Sequence, residues 1–158
     1  MKSSFKTGLS FGLTSGVITT LGLMVGLHSG THSRTVVIGG ILTIAIADAM
    51  SDALGMHIAE ESKNNGVVSE IWESTIATFL AKFLIALTFV VPVLLLPLEV
   101  AMMVSVGWGL ILLTGLSYFL ALAQQIPAWK VIAEHVVIGV SVIAITHYVG
   151  GWIHSALE

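Results

Sequence analysis

The sequence predicts an all-α, polytopic membrane protein of five transmembrane helices, a single domain over residues 1–158. Two observations predict it. Of the 158 residues, 56% are hydrophobic and only 9% charged, with a mean hydropathy of +0.99; a soluble domain carries roughly 25% charged residues. Five apolar stretches, at about 10–28, 36–61, 75–97, 100–123 and 131–153, are each long enough to cross a bilayer core, which takes about 20 helical residues. Lipid offers the backbone no hydrogen bonds, so only helices or closed barrels span it, and stretches of this length are not barrel strands.

The first span follows MKSSFKTGLS, which resembles a short signal n-region but has no convincing cleavage site, so it reads as a retained helix. Residues 29–33 close this span, and Lys63-Asn64-Asn65-Gly66 closes the second. Pro97 separates the third from the fourth, and Pro127 the fourth from the fifth. Pro92 lies inside the third span and is expected to kink it, because proline removes a helical N–H. Trp72, Trp129 and Trp152 fall near the predicted interfaces, where an aromatic belt accounts for them. Lys2, Lys6, Lys63 and Lys130 share one side and Arg34 alone takes the other, so the positive-inside rule gives an N-in, C-out orientation.

Several function classes are excluded. Without cysteine there is no disulfide framework and no thiolate metal site. A net charge of -3 and no basic patch give no case for nucleic acid. No phosphate loop, nucleophile elbow or zinc-protease motif is present, so no enzyme is expected, and no cofactor.

The chemistry concentrates in the second span. Asp48, Asp52, Met56 and Glu60 recur every four residues and so share a slowly drifting helix face, with Ser51 and Gly55 beside it and His57 with Glu61 on a parallel turn. A carboxylate in hydrocarbon costs several kcal/mol unless neutralised or liganded, and ion or proton handling is the default reason to keep one. The stripe covers about 18 Å from mid-membrane to the inner surface. Its oxygen donors with some nitrogen suit iron(II) or manganese(II), and the Met56 thioether favours a transition metal over magnesium or calcium. Metal binding needs ionised carboxylates, whereas burial disfavours them. The stripe is therefore expected to exchange a divalent cation for protons, with Glu60 at the entrance. Against this stands Lys82, about 12 Å into the third span where Asp52 is about 13.5 Å into the second. A structural Asp52–Lys82 ion pair would leave Asp48 as the only free intramembrane acid. The same lysine could serve transport by holding the site neutral when empty.

Gly8, Gly12 and Gly16, then Gly22, Gly26 and Gly30, recur every four residues on the first span. Small residues at this spacing let helix backbones approach closely in membranes. They predict either packing within one chain or a pore-lining or dimer contact; five spans leave no internal inverted repeat, and a homodimer would supply the symmetric path instead. His28 and His32 have metal-ligand spacing at the outer side, as weak exit-site candidates, and His147 and His154 share a face there; interfacial histidines are the plainer account. Glu70 and Glu73 fit a helix N-terminus, where acids are favoured.

Three segments, FGLTSGVITTLGLMVGL, IADAMSDALGMHIAEESK and AWKVIAEHVVIGV, together with LIALTFVVPVLLLP in the third span, resemble the vacuolar iron transporter family. The Gly12, Gly16, Thr19, Thr20 run and the Ala53-Leu54-Gly55 turn carry the match, and their order covers nearly all five spans. The resemblance implies a homodimer of five-helix subunits that moves ferrous iron or related divalent cations against protons, along a path lined by the first two helices between subunits. It also implies a cell membrane in a prokaryote or a vacuole-like organelle membrane otherwise. The chain departs from the family pattern in three places. Ser15 stands where relatives carry aspartate, Asp52 where they often carry methionine, and only residues 63–74 where many carry a Glu-rich insert. Ser15 is thus expected to assist Asp48 and Asp52, with Asp52 taking the carboxylate role. A non-transporting scaffold and a proton-coupled carrier of a small organic cation are the alternative functions.

Overall fold

The computed structural model describes residues 3–63 and 67–157. Lys2, used for the orientation, and Asn64-Asn65-Gly66, used to end the second span, lie outside them. Within the described residues the chain is all helical: α1 (Ser3–Thr31), α2 (Arg34–Glu61), α3 (Val68–Thr88), α4 (Val90–Leu95), α5 (Leu98–Gln124) and α6 (Ala128–Leu157). α3 and α4 together make the third span, so five helical segments are long and apolar enough to cross a membrane.

The helix ends follow from local chemistry. His32 adopts φ 49°, a left-handed conformation that stops α1, and Ser33 then caps α2 by accepting from the Val36 N–H. Gln125, at φ 57°, ends α5 in the same way before Pro127. The third span begins at Val68, seven residues before the 75 expected from hydropathy; Glu70 in the first turn complements the helix dipole and lets a polar stretch stay helical. It breaks at Phe89, three residues before Pro92. The proline ring crowds the carbonyl four residues back, that of Thr88, and donates no hydrogen bond to it.

α1 is the central helix, packing against α2, α3, α5 and α6. Its glycines explain how. A Cβ at Gly8 would lie 2.3 Å from the Ser74 carbonyl oxygen, and one at Gly12 2.5 Å from that of Thr78. At Gly16 it would meet the Ile85 side chain at 2.3 Å, with the Lys82 backbone close behind. Gly22, Gly26 and Gly30 in turn face Val142, Thr146 and Gly150 of α6. The numbering rises together in both series, so α1 runs parallel to α3 and α6. Gly40 beside Leu27 with Asp52 beside Ser15, and Gly109 beside Leu21 with Glu99 beside His28, place α2 and α5 antiparallel to it. Gly8, Gly12, Gly16, Gly22 and Gly26, expected either within the chain or at a pore or dimer surface, are thus occupied by α3 and α6 of the same chain. The apolar core gathers around Val17, Leu21, Met24, Ile41, Phe89, Val93 and Leu113, all essentially inaccessible.

α2 is less enclosed than the third span or α5. Val37, Ile41, Ala45, Ala49 and Ala53 face inward. On the opposite side Gly39, Thr43, Ala47, Ser51, Gly55 and Ala59 form an exposed small-residue stripe, and a Cβ at Gly39 or Gly55 would meet nothing within 4 Å.

Candidate functional site: an intramembrane lysine between two aspartates

Lys82 is 2% exposed, on the face of α3 that packs against α1. An ammonium there needs oxygen partners to offset its lost hydration. It has three. Nζ stands 2.5 Å from Asp48 Oδ2, makes a closer ion pair and hydrogen bond with Asp52 Oδ2, and donates to Ser15 Oγ at 3.0 Å. The Ser15 hydroxyl in turn donates a hydrogen bond to Asp52 Oδ2 at 2.8 Å, so lysine, serine and aspartate close a ring of hydrogen bonds. Asp48 Oδ2 is a charge contact only, out of line for a hydrogen bond.

Each group is placed by its helix. Asp48 and Asp52 lie one turn apart on the flank of α2 between its buried alanine face and its small-residue stripe. Ser15 precedes Gly16, whose missing side chain lets α1 approach the Lys82 backbone. The two carboxylate side chains are 28% and 23% exposed while the lysine is buried. The cluster is therefore closed toward α1 and α3 and open along α2. Two carboxylates and one ammonium leave it one negative charge in excess.

The predicted stripe does not act as one unit. Asp48, Asp52 and Ser15 come together. Glu60, one residue from the C-terminal end of α2, pairs instead with Lys63 at 2.5 Å. His57 turns toward α3, where Nδ1 lies 3.0 Å from Thr75 Oγ1 and the ring meets Trp72 edge-on at 4.9 Å. Met56 is half-buried. Among the described residues no group of three or more His, Asp or Glu side chains converges as a metal site within the chain. The expectation that an Asp52–Lys82 pair would leave Asp48 free is corrected: both acids share the lysine. Carboxylates one turn apart lie close enough for one ammonium to reach both, which was the signal available in the sequence.

The opposite end of the bundle gathers four of the six histidines. His28 Nε2 lies 3.1 Å from Glu99 Oε1, and Ser29 Oγ 2.6 Å from His147 Nδ1. The His28 and His32 rings are 5.5 Å apart between centroids, and those of His32 and His154 5.1 Å. The Glu99 contact was not foreseen; it requires the antiparallel packing of α5 on α1.

Fold and site together define a multi-helix protein suited to a bilayer, with a lysine–diaspartate cluster at mid-span. Comparisons with protein-family models, with curated proteins and with solved structures found no match to this chain. The family likeness described above therefore rests on the quoted residues alone.

Proposed function

We propose that this chain carries a divalent transition-metal cation, iron(II) or manganese(II), across its membrane in exchange for protons, and does so as a homodimer. The observation that carries the reading is the pair of partly exposed carboxylates, Asp48 and Asp52, held at mid-span on one buried lysine. An arriving dication competes with the Lys82 ammonium for the same oxygens. The two cations repel each other, so metal binding favours loss of a proton from Lys82. The cluster then passes from a charge of -1 to neutral: two carboxylates, one dication and a neutral amine. Proton return to the amine expels the cation. Ser15 keeps Asp52 oriented through both states. A second copy facing the small-residue stripe of α2 would bring two such clusters together beside one path.

The test is uptake by proteoliposomes of iron(II) or manganese(II), with proton counterflow read by an internal pH dye. Asp52→Ala is expected to abolish both fluxes while the purified protein keeps its helical content and oligomeric state. Undiminished uptake by that variant would sink the assignment.

A second reading is favoured by one observation, the close contact of Lys82 with both acids: the cluster is a structural tie in a non-transporting scaffold. It predicts no flux in the unmodified protein, with the same stability coupling between the charged residues. Flux in the unmodified chain decides between the two readings.

A further inference from the structure

A second site of different chemistry lies at the histidine end of the bundle. A cavity of about 590 Å³ opens there between α1, α5 and α6, and His28, His147, Met102 and Met103 all line it. Two imidazole and two thioether side chains lining one cavity, Met102 buried and Met103 68% exposed, are an uncommon donor set. Imidazole accepts several transition metals, whereas thioethers select soft, monovalent copper.

The supports behind these ligands carry the argument further. Metal-binding histidines almost always donate their second ring N–H to a carboxylate, backbone carbonyl or water, which fixes the ring and its tautomer. The His28 imidazole is held in that manner, and a serine hydroxyl anchors the His147 ring. His28 gives Nε2 to Glu99 at 3.1 Å, and His147 places Nδ1 2.6 Å from Ser29. With Nε2–H donating to the carboxylate, the neutral His28 ring keeps its lone pair on Nδ1; with Nδ1–H donating to Ser29, His147 keeps it on Nε2. The anchors also gather the four donors. Ser29 is adjacent to His28 in sequence, so the two imidazoles are brought to the same level of α1. Glu99 lies three and four residues before Met102 and Met103, on the same face of α5.

From this geometry we infer that the cavity is a binding site for copper(I), ligated by His28, His147, Met102 and Met103, with Glu99 and Ser29 as positioning residues. It lies at the far end of α1 from Lys6 and does not use the lysine–diaspartate cluster.

The test titrates the full chain in detergent with copper(I) presented as its bicinchoninate complex under ascorbate. One equivalent per chain is expected to leave the chelator, with X-ray absorption showing sulfur as well as nitrogen around the metal. Met103→Leu and Glu99→Gln change exposed side chains and should fold normally, as circular dichroism and size-exclusion chromatography will report. Glu99→Gln is expected to weaken binding by about 10–100-fold, and Met103→Leu to remove one sulfur from the absorption spectrum. Excess manganese(II), a probe for oxygen-rich sites, is expected to displace no copper. The proposal is overturned by no transfer from the chelator, by a shell of nitrogen and oxygen only, by unchanged affinity in Glu99→Gln, or by displacement with manganese(II).

Discussion

The Lys82 ammonium, at 2% exposure, relies on its oxygen partners to offset its lost hydration. Replacing one partner of a buried ion pair costs about 3–5 kcal/mol, because the charge left behind has no compensation. Lys82→Met, which strands two carboxylates, is expected to lower unfolding stability in detergent by about that amount. Combining it with Asp52→Asn should recover part of the loss, and adding Asp48→Asn most of the rest, since contacting residues are not additive. Additive losses across this series, measured by thermal or denaturant unfolding, would mean the three side chains do not act together. Ser15 belongs to the same unit: its hydroxyl bridges lysine and aspartate. Ser15→Ala should therefore cost about 1.5–3 kcal/mol, the range for a hydrogen bond to a charged group.

Between helices, the glycines divide by what lies opposite them. Gly8 and Gly12 face carbonyl oxygens of α3 at distances no Cβ tolerates, and Thr78 reinforces the contact by donating to the Gly8 carbonyl at 3.2 Å. Neither backbone can move aside without separating the two helices. Gly8→Ala and Gly12→Ala are expected to lower the unfolding temperature sharply. Gly39→Ala and Gly55→Ala meet nothing within 4 Å and exchange glycine for the best helix former, so each should hold or raise the stability of the isolated chain, by up to about 1 kcal/mol. The opposite ranking in a thermal-shift series would overturn this account of α1. The α3–α4 break is of another kind: Pro92 sets it locally, and the Trp108 indole of α5 then donates to Thr88 Oγ1 at 3.2 Å beside it.

At the scale of the whole molecule, an exposed stripe of small residues on α2 runs beside the only mid-span carboxylates the sequence places in a predicted span. The chain has no cysteine, so single cysteines can be introduced without a background. If two copies pack along α2, Thr43→Cys, Ala47→Cys and Ser51→Cys in liposomes should oxidise to disulfide-linked dimers, while Val137→Cys and Ile145→Cys on the exposed face of α6 should not. Equal cross-linking at both faces would argue against a specific dimer. Orientation follows from the same approach. Lys63→Cys should be protected from an impermeant maleimide added to intact cells and Thr31→Cys labelled, if the N-terminus is inside.

Much of this was legible in the residues. Five spans, their order, the Pro92 break and the pairing partner of Asp52 follow from hydropathy, proline chemistry and depth along a helix, all properties of a residue and its near neighbours. The share Asp48 takes in Lys82 was half-visible, as two acids one turn apart. The fates of Glu60 and His57 were not, because a four-residue stripe drifts around its helix. By Glu60 and His57 it faces Lys63 and α3 rather than the cluster.

The sequence by itself determined that this chain is helical and suited to a membrane, since apolar stretches too long for barrel strands can satisfy their backbone in lipid only as helices. It also determined that the polar chemistry at mid-span belongs to Asp48, Asp52 and Lys82. Only the tertiary structure decided where the glycine repeats are used and how the imidazoles are paired. A four-residue repeat marks a face without naming the partner. Whether α3 and α6 or a second chain fills the grooves of α1, and whether Glu99 reaches His28, depends on how helices distant in sequence pack against one another.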